Sequence, residues 1–418
     1  MNTPLKINKI NNKNATPGSF ADLLVRALTI ALLLSWIPGG AWASEPLQVH
    51  ITYVQREVER PPVLSNLDPW SEDEGEAGAR LAIRDSNTTG RFLNHRYALN
   101  VIRVRSDDEF VPAVLTALED DAAASEHWVV TNAPAADLLA LADAPEAARW
   151  LIFNAYEQAD ALRGSQCRGN VLHTIPSFAM RADALAQFSV KRKWMEWALI
   201  SGASARDRAF AQALRRSART YRIDMEAEKD WQLHSDIRRN ASQEVPLFTQ
   251  SLRDHDLLVL VDEQEDYARY FPYNTWDHKP IAGSEGLRPV TWSRVLEQYG
   301  AAQLQKRFAK QAKRAMRPGD YAAWAAVRAI SEGVTRTGSA AVAEVREYLL
   351  GDAFELAGFK GRPLSFRPWN GQLRQPIALV HRRAVVALAP IEGFLHQYNP
   401  LDSLGLDRPE SACGQFRQ

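Results

Sequence analysis

Residues Trp194 to Ile223 read WMEWALISGASARDRAFAQALRRSARTYRI, and this stretch decides the fold. Trp194 to Ile200 is apolar except for Glu196, the pattern of a strand buried on both faces. A Ser-Gly-Ala-Ser turn follows, where Ser204 is placed to accept a backbone N–H as the N-cap of a helix. Phe210, Leu214 and Ala218 then recur at helical spacing, with Arg206, Arg208, Arg215, Arg216 and Arg219 off that stripe. Strand, turn and helix make one βαβ element. In open α/β sheets ligands sit beyond the carboxyl ends of the strands, against free N–H groups of helix N-termini.

The same alternation runs along the chain on either side. Leu47 to Tyr53, Tyr97 to Val104, Trp128 to Thr131 and Trp150 to Phe153 read as strands. Helical patterns lie between them, the first from Ser71 to a close at Asn87 to Gly90. That series predicts a parallel sheet covered by helices on both faces. A second series takes in Val171 to Ile175, the opening stretch, Leu257 to Val261 and Pro280 to Leu287. Residues 299–350 are helical, and Gly358 to Leu388 carries the last β material. The tail beyond Pro390 shows little pattern.

With 418 residues the chain exceeds one ordinary core and predicts two domains. Fifty basic and fifty acidic residues balance, so no nucleic-acid-binding surface is advertised. Lys6, Lys9, Lys13 and Arg26 precede the apolar segment Ala27 to Ile37, and Ala41-Trp42-Ala43 forms an A-x-A site before Ser44. This reads as a secretory leader over residues 1–43, too short in its apolar core to span a bilayer. Cleavage would leave 46 basic and 49 acidic residues, a net −3, in a periplasmic chain with no membrane insertion. Two cysteines remain, Cys167 and Cys413. In an oxidising compartment they are either a disulfide or two unrelated thiols.

No GxSxG, P-loop, GxGxxG or HExxH occurs, and the nine histidines show no metal spacing. Neither an enzyme nor a cofactor or metal site is expected.

Four stretches resemble, in order, the type I periplasmic ligand-binding proteins of ABC importers, the class that includes the branched-chain amino-acid receptors. Gly78-Ala79-Arg80-Leu81-Ala82-Ile83 with Asp85, Asn87 and Gly90 is similar to the first helix of that class. Asp107-Asp108 falls where the class has acids after the second strand, and Gly283-Ser284-Glu285-Gly286 resembles the element returning to the first lobe. Tyr321-Ala322-Ala323, Ala326-Val327, Gly358, Gly361, Leu364-Ser365-Phe366 and Gly371-Gln372 resemble its C-terminal third. The Pro61-Pro62 loop leading to Asp68-Pro69-Trp70 and the tail Asp402-Ser403-Leu404-Gly405 resemble receptors associated with pyrroloquinoline-quinone (PQQ)-dependent alcohol dehydrogenase systems.

The resemblance implies an α/β fold of two lobes, each a parallel sheet flanked by helices, with three interlobe crossings. Lobe one would be residues 44–155 plus 280–365, lobe two 156–279 plus 366–395, and 396–418 a C-terminal tail. A small molecule would bind between the lobes and pass to an inner-membrane ABC permease. The resemblance implies ligand contacts at Thr131, Asn132, Asn154, Ala155, Tyr156 and Glu285, and the turn physics adds Ser204. Thr131-Asn132 is expected to open a helix, with a plain N-cap as the other reading. Glu285 would share a lobe with Thr131 and face the cleft, or be a solvated turn acid. Asn154 and Tyr156 replace the small-residue and Thr contact of the class, and Ser201 to Ala205 lacks the Tyr-Gly of amino-acid receptors. Trp70, Tyr156, Tyr267 and Trp276 are expected to pack more than to touch ligand. The alternative is a sensor or assembly protein on the same fold, with its cleft plugged by Gln55 to Trp70.

Overall fold

The first sheet is built on strands rich in Val, Ile, Leu, Tyr and Phe. Strands β1 (Leu47–Arg56), β2 (His95–Val104), β3 (Trp128–Asn132), β4 (Leu151–Asn154) and β5 (Val171–His173) are all parallel, in the order β2-β1-β3-β4-β5. Val49, Ile51, Tyr53, Val130, Leu151 and Phe153 fill a core on one face, while Val54, Ile102, Val129, Ile152 and Val171 fill another on the opposite face. A period of two with both faces apolar leaves the sheet no wet side, so helices must cover both. The computed structural model describes residues 45–58, 71–118, 126–232 and 237–416, with residues 46–418 forming one unit. The expected leader, and the loop carrying Pro61-Pro62 and Asp68-Pro69-Trp70, lie outside the described residues.

Around this sheet lie α1 (Glu76–Leu93), α2 (Phe110–Leu118) and α3 (Ala135–Asp143). The first helix runs through Asn87 and Gly90, where the sequence predicted its close, and ends at Asn94 in the left-handed conformation. Asn87 bonds both backbone groups of Tyr97, accepting from its N–H and donating to its carbonyl, so it staples helix to strand.

The second lobe repeats the plan. It holds α4 (Phe178–Arg192), β6 (Glu196–Ser201), α5 (Ala205–Tyr221), β7 (Asp224–Asp230), α6 (Ile237–Thr249), β8 (Leu257–Val261) and β9 (Ile281–Gly283). Its parallel sheet has the order β7-β6-β8-β9. Strand β10 (Arg288–Val290) joins β13 (Ile377–His381) and β14 (Ala384–Ala389) in an antiparallel sheet, and Ile377, Leu379 and Ala389 share a core with α4 and α5. Helices α7 (Ala301–Ala312), α8 (Pro318–Thr337) and α9 (Val342–Leu350), with β11 (Ser365–Phe366) and β12 (Leu373–Arg374), complete the first lobe.

Three expectations about boundaries are corrected. Strand β5 hydrogen-bonds to β4, so the first crossing comes at Thr174 to Ser177 rather than after residue 155. Strand β9 pairs with β8 and β10 with β13, so the chain stays in lobe two until Val290 rather than leaving near residue 280. Residues Phe366 to Leu373 pack in the lobe-one core, and the third crossing falls at Gln375-Pro376. The tail is also ordered rather than patternless. Leu404 sits in the lobe-two core, whereas Cys413 and Phe416 sit in the lobe-one core, so the tail makes a further passage between lobes. Cys413 is bonded to Cys167, with Cα atoms 5.6 Å apart. Among the described residues no helix is long and apolar enough to cross a membrane.

Candidate functional site

The carboxyl ends of both parallel sheets meet where the turn after β4 faces the starts of α4 and α5. Two local devices shape the lobe-two side. Ser204 caps α5, accepting from the Asp207 N–H at 3.0 Å while Asp207 accepts from the Ser204 N–H at 3.0 Å. Gly202 precedes it because a Cβ there would lie 2.5 Å from Asp207 Oδ2. This reciprocal cap fixes the first turn of the helix, and with it Arg206.

Arg206 reaches across to lobe one. Its guanidinium lies 5.0 Å from the Tyr156 ring centroid and 5.6 Å from that of Phe178, and its Nη1 is 3.6 Å from Glu157 Oε2. That Nη1 is buried and has no hydrogen-bond partner among the described residues. Burial opposes the charge, but Tyr156, Glu157, Glu263 and Asp207 outweigh it and raise the affinity for the proton. Beside it, Arg181 donates to both oxygens of Glu263 at 2.7 and 2.9 Å, and to Gln158 Oε1 of lobe one at 3.1 Å. Burial would push the Glu263 carboxyl up, yet Arg181 and Arg206 hold it below its usual range. Ser284 completes the group, donating to Glu263 Oε1 at 3.0 Å. With Asp207, which accepts the Glu263 N–H at 2.7 Å, the group holds two arginines and three acids.

The structure distributes the expected site residues unevenly. Tyr156 and Ser204 stand at this meeting of lobes. Thr131 is fully buried and donates to the Phe153 carbonyl at 3.3 Å, inside the sheet. Thr131-Asn132 does not open a helix, because α3 starts at Ala135 with Pro134 before it. Asn132 instead donates to the Tyr53 hydroxyl at 3.0 Å and the Glu74 carbonyl at 3.1 Å. Asn154 is likewise spent. Its Oδ1 accepts the N–H groups of Tyr156 and Glu157 at 3.1 and 2.8 Å, and its Nδ2 donates to the Glu157 carbonyl at 2.7 Å. Ala155 is buried and donates its N–H to Thr131. These residues build the turn that presents Tyr156 and Glu157.

Glu285 is a correction. It lies in the tight turn between β9 and β10, in lobe two, and accepts from the Gly286 N–H at 3.1 Å with Arg382 3.8 Å away. Leu287 returns to bond Ile281, so the turn closes on its own strand and never reaches Thr131's lobe. Among the aromatics, Tyr267 is buried and stacked on Trp231 at 5.5 Å, Trp276 is exposed, and Trp70 lies outside the described residues.

Glu157, Arg181, Arg206 and Glu263 were not singled out from the sequence. Glu263 had a signal, since it lies two residues beyond the carboxyl end of the buried strand β8. Arg206 had none beyond its place off the apolar stripe, and Arg181 had none. Among the described residues no group of histidine, cysteine or acidic side chains could hold a metal ion.

The tail motif Asp402-Ser403-Leu404-Gly405 turns out to be a clasp. Asp402 accepts from Arg367 and Arg374 at 2.8 Å each, and Ser403 accepts from Gln187 and Tyr221. The Gly405 N–H donates to Asp183 at 2.7 Å. Each contact ends within the protein.

Residues 70–234 match the model of a family described as periplasmic binding protein. No curated protein sequence matches the chain. The structure is similar to a branched-chain amino acid ABC transporter periplasmic ligand-binding protein from Burkholderia xenovorans, at 16% identity and a TM-score of 0.66, covering 88% of this chain and 100% of that one. It is also similar to a branched-chain amino acid transporter substrate-binding protein from Streptococcus pneumoniae solved with isoleucine, at 15% identity and a TM-score of 0.59, covering 82% and 98%. A solute-binding protein from R. palustris in complex with benzoate aligns at 12% identity and a TM-score of 0.58, covering 88% and 99%. These likenesses show the fold, the two-lobe α/β architecture of type I periplasmic binding proteins. All three are binding proteins of ABC transporters.

Proposed function

We propose that the chain is a periplasmic substrate-binding protein that takes a small organic molecule between its lobes and presents it to an inner-membrane ABC permease. The observation carrying this reading is the meeting of Tyr156 and Glu157 from lobe one with Arg206 from lobe two, at the carboxyl ends of both sheets. Thr131, Asn132 and Asn154 are consumed internally, so recognition falls to Arg206 as donor, Glu157 as acceptor and Tyr156 as an apolar face. A ligand suited to them offers a polar end and a flat or apolar body. In this reading the leader is removed before Ser44, and mass spectrometry of the exported protein checks that.

Thermal-shift screening of the purified mature chain against alcohols, aldehydes, carboxylates and amino acids is the test. A ligand at one hundred times its Kd adds about 2.7 kcal/mol of stability. Arg206→Met should weaken the responding ligand roughly 10- to 100-fold, the worth of a charged hydrogen bond. No stabilisation by any class, or an unchanged affinity in that variant, would count against the reading.

A second reading is a non-transport sensor, or an interaction or assembly protein, for a periplasmic PQQ-dependent alcohol dehydrogenase. It rests on the resemblance of the tail motif and on a cleft whose expected contacts are self-satisfied. Purified dehydrogenase that comigrates with this chain in gel filtration, with no small-molecule response, would favour it.

A further inference from the structure

Besides the passage of the tail, three chain crossings join the lobes, at Thr174 to Ser177, Val290 to Trp292 and Gln375-Pro376. One buried lysine gathers them, its amine pushed well below its ordinary pKa by burial. Lys360 lies on the lobe-one loop after α9, where the Tyr321 hydroxyl donates to the Gly358 carbonyl at 2.7 Å and Phe359 packs 5.6 Å from Trp324. Its Nζ donates to Thr291 Oγ1 at 2.7 Å on the second crossing. It donates to Gln375 Oε1 at 2.6 Å and the Pro376 carbonyl at 3.2 Å on the third. Thr291 also donates to Gln375 Oε1 at 2.5 Å, and Gln375 Nε2 donates to the Thr174 carbonyl at 2.8 Å on the first. The Tyr321 ring centroid lies 4.4 Å from Nζ. Nζ thus lies within hydrogen-bond distance of three acceptors on two crossings, and Gln375 relays the grip to the remaining one.

The placement matters more than the strength. Hinge motion is absorbed by a few residues at element ends, and these crossings are the segments whose dihedrals must change when lobes rotate. A bond within a lobe core would be indifferent to that rotation. Lys360 is anchored to lobe one by its backbone, to the second and third crossings by its tip, and to the first through Gln375.

We infer that Lys360 is a positioning residue that sets the angle between the lobes by tying their three crossings at one point. The inference rests on the receptor reading only in that the lobes move. Because both native cysteines are bonded, cysteines introduced at exposed Arg91 on α1 and Arg219 on α5 (R91C and R219C) can be spin-labelled. Interlobe distances are then measured without ligand, by electron–electron double resonance, in otherwise native protein, in Lys360→Met and in Lys360→Arg.

The methionine variant should give a broader distribution shifted to longer distances, and arginine should restore it in part. A purely structural lysine would lower the melting temperature and leave the distribution unchanged, and that result overturns the inference. If Lys360→Met does not fold, Thr291→Val removes one partner at nearly constant volume. Broadening there supports the inference, and a native distribution overturns it. The receptor reading fails separately, if no small molecule shifts the native distances or stability.

Discussion

Asp262 shows how a single side chain couples the lobe-two scaffold to pH. It follows β8, is 2% exposed, and accepts the N–H groups of Asp266, Tyr267 and Ala268 at 2.9, 2.7 and 2.8 Å. Burial outweighs those bonds and pushes its pKa up from 3.8 to about 6. Between those values the folded protein holds a proton that the unfolded chain has released, so stability falls as pH rises through roughly 4 to 6. The shift caps this at about 3 kcal/mol. Urea unfolding at pH 4.5 and 7.5 should show the loss, and Asp262→Asn should flatten it. The asparagine places an amide N–H against backbone donors, so it costs stability at both pH values, and the readout is the difference between them. Equal differences in the two proteins would refute the assignment. Glu74, Asp160 and Asp183, also raised by burial, act in the same direction, whereas Glu76 and Glu263 oppose it.

At the scale of elements, the crossing of α1 and α8 explains the Gly78-Ala79 start of the first-helix pattern. A Cβ on Gly78 would lie 1.9 Å from the Asp320 carbonyl oxygen and 2.6 Å from its carbon, both backbone atoms of the facing helix. Asp320 is pinned in turn by Arg314 at 2.6 and 2.9 Å, and accepts the Gly75 N–H at 2.9 Å. Helix propensity alone says that Gly78→Ala gains about 1 kcal/mol. Packing says the opposite, because backbone cannot rotate away, and overpacking costs about 1–3 kcal/mol or more. Gly333 on α8 is the control, since a Cβ there would meet a side-chain methyl, Val345 Cγ1, at 2.6 Å. Denaturant midpoints should fall further for Gly78→Ala than for Gly333→Ala. The reverse order would mean that the helices do not cross this closely.

For the whole molecule, the tail is a covalent link between parts 246 residues apart. The chain-entropy model allows at most about 5 kcal/mol for so long a loop. Cys413→Ala should lower the unfolding free energy and expose the segment beyond Gly405 to proteolysis. Residues 402–405 should stay protected, because Asp402, Ser403 and Gly405 keep their bonds to Arg367, Gln187 and Asp183. Ligand preference should not change. Limited proteolysis with mass spectrometry reads the cut sites, and an unchanged midpoint with an intact tail would refute the role.

What the sequence determined by itself was local. The apolar run before Ser201, the cap at Ser204 and the helix behind it follow from propensity, period and one side-chain bond, all within a few residues. Repeated along the chain, they require parallel sheets between helices. What only the tertiary structure decided was which strand joins which sheet and which polar groups remain for a ligand. Strand β5 could have opened the second sheet as readily as closed the first, and its bonds to β4 settle that. Glu285 fell in lobe two because its turn folds back on β9. Asn154 and Thr131 were consumed by neighbouring backbone, while Arg206 and Lys360 found partners on segments far away in the chain. Sequence spacing encodes periodicity and caps because those depend on near neighbours. Sheet membership and the satisfaction of buried polar groups depend on backbone brought together from distant positions, and no local pattern specifies that.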